Sequence, residues 1–310
     1  MDLASGEPAP TPETIARALN EQGFLFQNRI VGLTWDAHGA SKWRPEAFEY
    51  PVSIGVLFDE TRIDLILRST VPGQTTWFAT LECKRADPRF KTWIFFEKRN
   101  RLLGAKAPAF FFSAAEYDAT EPGAYQDGFP ALQTRVIEIE NVTGIPLLSF
   151  YLEAKEACPP KPKDGSQAKT PDKLSSTSTI EDAFRQASLG VVGLAPALAR
   201  AEDHPFRAVP IVVTTAAVFE ADYDAADISI DRGMIDAAKL RLTAHPWLAV
   251  NYAISDKIAG LRDPEPSAGD VPAIDLGGRL LRTMFVVRAN RLMDFLATLR
   301  REFAEKNPPA

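Results

Sequence analysis

The order of elements in this sequence predicts a mixed α/β fold, with a central mixed β-sheet flanked by helices. Three observations carry that expectation. Several short apolar runs with strand alternation follow a helix-like opening. Residues 178–194 then repeat apolar side chains at helical spacing, just ahead of the β-branched run "AVPIVVTTAAVF". The chain closes on an amphipathic helix, "NRLMDFLATLRREFAEK".

Taken in order, residues 1–11 read as a flexible tail, and 12–310 as a single domain. "PETIARALNEQG" reads as a short helix, with Pro12 in its first turn, Ile15, Ala18 and Leu19 on one face, and Gly23 as its stop. "FLFQNRIVGLTW" reads as a strand. "EYPVSIGVLF" and "RIDLILRS" read as strands joined by a tight turn at "DET", and "TWFATLECK" as the next strand after the turn "TVPGQT". "TRVIEIE" and "LLSFYLEAK" read as a second hairpin. Residues 157–178, rich in Pro, Lys and Ser, read as a mobile loop. Ser178 to Glu181 matches a capping box. The helix it opens places Ile180, Phe184, Ala187, Val191 and Leu194 on one stripe. "WLAVNYAIS" and "RTMFVVRA" are the remaining strands.

The 310 residues are 45% hydrophobic and 25% charged, which is ordinary globular composition. A net charge of -6 excludes a surface that binds polyanions everywhere, so a nucleic-acid site has to be a local patch. The two cysteines, Cys83 and Cys158, form no CxxC, and the three histidines have no zinc spacing. Reduced thiols, an N-terminus unlike a signal peptide and no run of about 18 apolar residues predict a cytoplasmic protein with no membrane partner. GxxxxGK[ST], GxSxG and HExxH are absent, which argues against an NTPase, an α/β-hydrolase and a zinc protease.

The chemistry concentrates in one predicted hairpin. Side chains alternate along a strand. Ile63, Leu65 and Leu67 therefore share a face, as do Trp77, Ala79, Leu81 and Cys83. The other face carries Asp64 on one strand and Glu82 and Lys84 on the other. Folding about Gly73, equidistant from Asp64 and Glu82, sets the two carboxylates directly across from each other. Their Cβ atoms then lie about 4.5–5.5 Å apart. Facing carboxylates repel, and a divalent cation between them reverses that. Mg²⁺ suits one or two carboxylates completed by water and phosphate oxygens. Lys84 beside it would orient a water or stabilise charge on an attacked phosphate. The plain alternative is a solvated ion pair at a strand end.

"RIDLIL" with "WFATLECKR" resembles the PD-(D/E)XK, or restriction endonuclease-like, nuclease superfamily. The resemblance covers the strands from Glu49 to Lys84 and extends less specifically to "STIEDAFRQASLG" and "AVPIVVTT". It implies a Mg²⁺- or Mn²⁺-dependent endonuclease that hydrolyses phosphodiester bonds, of DNA first, in host defence or DNA processing. It implies that Asp64 and Glu82 are metal ligands, that Lys84 is catalytic, and that the carbonyl of Cys83 is a further metal oxygen. Gln186 is its candidate for a glutamine on the helix after the motif, and Glu13 for a glutamate on the first helix. The resemblance also allows a homodimer. The chain departs from the pattern by an insertion, about 87–178, between the ExK strand and the following helix. That segment holds a second Glu-x-Lys, Glu153 and Lys155, which forms the alternative site. Hairpin folding sets Glu153 near Thr134 or Arg135 rather than opposite an acid.

From Glu82 to Lys106 there are eight basic and three acidic residues, a local +5 within a chain of -6. Arg85, Arg89, Lys91, Lys98, Arg99 and Arg101 are the candidate nucleic-acid contacts. Phe90, Trp93, Phe95 and Phe96 interleave with them and are candidates to stack on bases, or else core residues beneath a basic surface. The alternative function is a non-catalytic nucleic-acid-binding module on the same fold.

Overall fold

The computed structural model describes residues 11–21, 23–52, 61–70, 76–86, 92–97, 109–113, 133–137, 147–148, 151–157, 177–201, 206–253 and 281–301. The predicted tail, apart from Thr11, and residues 158–176 of the predicted loop lie outside these. So do Arg89, Phe90, Lys91, Lys98, Arg99 and Arg101.

Two helices open the chain, α1 (Pro12–Glu21) and α2 (Phe24–Ser41). Gly23, in the left-handed region at φ 71°, separates them. The second corrects the strand expected at "FLFQNRIVGLTW". Its burial repeats every fourth residue, with Ile30 and Thr34 buried while Phe24 and Trp35 are exposed. Its β-branched and aromatic content suggested a strand, but the packing follows the helical period.

Strands β1 (Arg44–Val52), β2 (Thr61–Ser69) and β3 (Thr76–Lys84) follow. Between β3 and the next helix come β4 (Thr92–Glu97), β5 (Ala109–Ser113), β6 (Gln133–Ile137), β7 (Leu147–Leu148) and β8 (Tyr151–Ala157). The long helix α3 (Thr177–Ala201) leads into β9 (Phe206–Thr214) and β10 (Ala217–Asp222). Its first residue is Thr177, so the capping-box serine at 178 already lies inside the helix. Short strands β11 (Ile228–Ser229) and β12 (Met234–Ile235) pair with each other. The chain ends with β13 (Arg241–His245), β14 (Trp247–Ala253), β15 (Leu281–Arg288) and helix α4 (Leu292–Leu299).

The central sheet is mixed and runs β1-β2-β3-β9-β15-β14-β7, with β5 also paired to β9 and to β6. The β1-β2-β3 meander is antiparallel, and β3 runs parallel to β9. A second sheet has the order β13-β10-β4-β8. The stretch between β3 and α3 thus supplies strands to both sheets. The hairpin expected between 134–140 and 147–155 does not form: β6 pairs with β5, and β8 pairs with β4.

Both faces of the central sheet are buried, which explains why its strands read as near-continuous apolar runs. One core joins Ile66, Phe78 and Val212 to the whole predicted α3 stripe and to Trp93, Phe95 and Val218 of the second sheet. The other joins Leu65, Leu67, Trp77, Ala79 and Leu81 to Ile30 of α2 and Phe295 of α4. Trp43 pins this side together, donating its indole N–H to the Leu296 carbonyl at 2.8 Å while only 1% exposed. Trp93 and Phe95 are fully buried, with Phe95 stacked on Phe184 at 6.3 Å, so they are core residues rather than base-stacking surfaces.

Ile63 departs from the expected alternation. It packs in the α3 core, whereas Leu65 and Leu67 pack in the α2/α4 core. The strand changes phase at Asp64. Opposite, Glu49 has φ 48°, a left-handed conformation that is unusual for a residue with a Cβ. Ile63 meets α3 where Gly190 removes a side chain: a Cβ there would stand 3.0 Å from Ile63 Cγ1. Because Gly190 lies one turn beyond Gln186, this close approach sets how near α3 comes to the strand ends. Gly190→Val is expected to cost about 1–3 kcal/mol in urea unfolding through overpacking. Ile63→Ala in the same chain should return part of that loss. Simple additivity of the two changes would show that the contact does not set the helix height.

Candidate functional site

The hairpin register matches the one deduced from Gly73. Leu65 lies opposite Leu81 and Ile66 opposite Thr80, so the next pair in step is Asp64 and Glu82. Asp64 turns towards β3 and accepts the main-chain N–H of Cys83 on Oδ2 at 2.6 Å. Glu82 is 6% exposed and stands on the α3 side of the sheet, in line with Phe78 and Thr80.

Lys84 reaches back to Glu82, Nζ to Oε1 at 2.7 Å, and donates to Gln186 Oε1 at 2.6 Å. The two residues of that second bond are 102 positions apart in sequence. The end of β3 is held by its neighbour: Thr215 donates its N–H to the Lys84 carbonyl at 3.3 Å, and Ala86 donates to Thr215 Oγ1 at 2.9 Å. Arg85, between these anchors, is half-buried.

The electrostatics follow from burial. Desolvation pushes the Asp64 carboxyl up to about 6, against the lowering effects of the Cys83 N–H and Lys84. Glu82 is pushed up to about 7, first by desolvation and then by the charge of Asp64. Lys84 lies in ion-pair contact with Glu82 and still does not offset these two effects. Among the described residues, one ammonium serves a buried acid and a half-buried one. Burial also pushes the Cys83 thiol well above its usual value, so it stays protonated and supplies no thiolate.

A third acid stands beside the pair. Phe48 lies opposite Leu65 and Tyr50 opposite Ile63, which sets Glu49 across from Asp64 on the other side. Glu49, Asp64 and Glu82 thus form a row across β1, β2 and β3, and the charge of Glu49 raises both of the others. Gln27 of α2 donates its side-chain N–H to Glu49 Oε1, and the same nitrogen is 3.5 Å from the Asp64 carbonyl. Arg62 approaches Glu49 Oε2 at 3.6 Å on the exposed side.

Neither Glu49 nor Gln27 was singled out from sequence. The strand expected at "RIDLILRS" forms, but β1 ends at Val52, well before the turn expected at "DET". Counting from the observed ends of β1 and β2, at Val52 and Thr61, would have set Glu49 opposite Asp64. Gln27 was hidden by the reading of its helix as a strand. Glu13, the helix-borne candidate, is exposed on α1, where Thr11 hydrogen-bonds to it in the first turn.

The second Glu-x-Lys falls elsewhere. Glu153 and Lys155 lie on β8, their Cα positions opposite Phe96 and Ile94 of β4, in the second sheet. Asp64, Glu82, Cys83, Lys84 and Gln186 come together; Glu153 and Lys155 belong to a different sheet.

Among the described residues, no three His, Cys, Asp or Glu side chains close into a ready cation cage. Two neighbouring carboxylates that meet one ammonium among the described residues are nevertheless the donor set that a hard divalent cation completes with water and phosphate oxygens. Asp64 and Glu82 are the residues that fit one.

Among the described residues, no helix is long and apolar enough to cross a membrane. No protein-family model matches the chain, and no curated protein or solved structure is significantly similar to it.

The raised carboxyls make a testable statement about stability. The folded protein keeps protons that the unfolded chain has released between about pH 4 and about pH 7. Their stabilising contribution is complete below that window and is lost as pH rises through it. Melting temperature measured in chelator should therefore fall from about pH 5 to about pH 8, and Glu82→Gln should flatten the fall. Added Mg²⁺ should raise the melting temperature more at the upper end than at the lower.

Proposed function

We propose that this chain is a divalent-cation-dependent nuclease of the restriction endonuclease-like type, hydrolysing phosphodiester bonds of DNA. The observation that carries the reading is the Asp64–Glu82 pair, Glu82 buried and Asp64 half-buried, with Lys84 the one base that meets it among the described residues. A purely structural ion pair would match one acid to one base. An excess of buried negative charge at a strand end is what a cation site needs.

Asp64 and Glu82 would hold Mg²⁺ or Mn²⁺, with the Cys83 carbonyl as a further oxygen. The bound cation would supply Lewis-acid stabilisation of charge on the phosphoryl oxygens and a lowered pKa for attacking water. The chain's own contribution is orientation. The Cys83 N–H fixes the Asp64 carboxylate through Oδ2, and its other oxygen would be the one to meet a cation. Lys84 would offer its ammonium to the negative charge that develops on the phosphoryl oxygens, or align a water. Gln186 accepts from that ammonium and limits its rotation, so the helix as well as the strand aims Lys84. Arg85 is the described basic residue nearest in sequence to receive the phosphate backbone, within a locally basic stretch. The mixed sheet flanked by helices is the architecture such an assignment requires.

Cleavage of plasmid and of single-stranded DNA, with Mg²⁺, Mn²⁺ or chelator, tests this. Asp64→Ala, Glu82→Gln and Lys84→Ala should each lower turnover at least about a hundredfold. Glu153→Ala should cut like the wild type. Loss confined to Glu153→Ala would move the site to the second sheet. DNA bound in chelator but never cut by the wild type would replace the enzyme with a binding module.

A further inference from the structure

We infer that Glu49 is a third acidic member of this site, acting on the cation from outside its direct ligands, and that Gln27 is the residue that positions it. The inference rests on the cation reading given under Proposed function. It adds two residues that the Asp and Glu-x-Lys pattern does not contain.

The geometry gives three reasons. First, the backbone at Glu49 is left-handed, with φ 48° on a residue that has a Cβ. Such a conformation costs energy and persists only where surrounding structure holds it. Second, the strands are disturbed on both sides of this pair: β2 changes phase at Asp64, so that Ile63 and Leu65 pack in different cores. The disturbance sets Glu49 and Asp64 facing each other and frees Asp64 to turn to the Cys83 N–H. Third, the holder comes from a different element. Gln27 lies in α2, and α2 is anchored through Ile30 and Thr34 in the core beneath the sheet. Its amide N–H binds Glu49 Oε1 and lies 3.5 Å from the Asp64 carbonyl, tying the outer acid to the strand that carries the inner one.

Like charge beside Asp64 and Glu82 brings the metal-free fold no benefit. Arg62, which approaches Glu49, is largely exposed, with 68% of its side chain open to solvent, so it does little to neutralise it. A cation turns the same arrangement favourable. The three acids do not converge into a cage. Glu49 therefore contributes through its charge and through water held between it and the cation, as groups behind direct ligands do.

The test is Mn²⁺ binding by calorimetry to the full chain, without nucleic acid, alongside melting in chelator. Wild type, Glu49→Gln, Gln27→Ala and Glu82→Gln are compared. Glu49→Gln should weaken Mn²⁺ binding about tenfold or more. It should melt in chelator at or above the wild-type temperature, because a repulsion has been removed. A merely structural role would instead lower the melting temperature and leave affinity alone. Gln27→Ala should weaken binding in the same direction. In cleavage, both should raise the Mg²⁺ concentration for half-maximal rate, in the same order as they weaken Mn²⁺ binding. Glu49→Gln that binds Mn²⁺ as tightly as wild type, while Glu82→Gln does not, overturns this inference and leaves the nuclease reading standing. Wild type that takes up no Mn²⁺ overturns the cation reading and this inference with it. Gln27→Ala that matches wild type overturns its positioning role.

Discussion

A carboxylate in the middle of a buried sheet is the constraint around which this structure is arranged. Glu82 lies on a strand with neighbours on both sides and helices over both faces. An unpaired charge in such a place costs several kcal/mol. The chain keeps it next to a second acid, Asp64, and among the described residues sets one ammonium, Lys84, against the two. Every close contact around them follows from that choice. Lys84 bends back along its own strand to Glu82, Gln186 comes down from α3 to hold Lys84, and the Cys83 N–H satisfies one oxygen of Asp64. Hydrophobic packing alone would have placed apolar residues at these positions, as it does at Phe78 and Leu81 on the same strand.

The second requirement is that the sheet be broken locally without being broken up. Strict alternation would keep Ile63 with Leu65 and Leu67 on the α2 side. At Asp64 the strand changes phase, Ile63 crosses to the α3 side, and a glycine on α3 leaves room for it. Glu49 absorbs the matching irregularity on β1 in a strained backbone conformation. Two neighbouring strands thus deform at one level of the sheet, where the acids lie. Elsewhere, β3 and β9 run in unbroken parallel register from Thr76 to Lys84. The left-handed backbone of Glu49 and the change of phase at Asp64 fall together at the acids, where stored strain has a use; a separate register shift on β1 lies between Pro45 and Ala47.

How much of this was legible in the sequence follows from the range of each interaction. The β2–β3 pairing was legible because its turn was close and its apolar pattern fixed the register; a slip of one residue would reverse every side chain. The face of α3 was legible because five apolar residues repeat at helical spacing. The helix at Phe24–Ser41 was missed because its apolar residues occur around most of its circumference, so neither period stood out. Trp93 and Phe95 were open to two readings, base-stacking or core, because basic residues flank them; the second sheet, in which β4 pairs with distant β10, decides for the core. Glu153 had the right residue types, but its strand pairs with β4, which no local pattern announces. Glu49 is near Asp64 in sequence and still escaped, because a turn placed a few residues late shifts every partner on the strand.

The long separation between Lys84 and Gln186 looked like a departure from the expected pattern, and the topology removes the difficulty. Parallel neighbours cannot be joined by a tight turn; the chain must cross over from the end of one strand to the start of the next. β3 and β9 are such neighbours, and α3 is the helix that leads directly into β9. Its position over β2, β3 and β9 is set by that crossover, whatever else the connection contains. Strands β4 to β8 are threaded into the same connection and are accommodated at the far edge of the central sheet, on β9 and in the second sheet. They lengthen the path without moving its end. The glutamine therefore arrives over the lysine because the two strands are parallel and adjacent, and its distance along the chain has no bearing on where it lands.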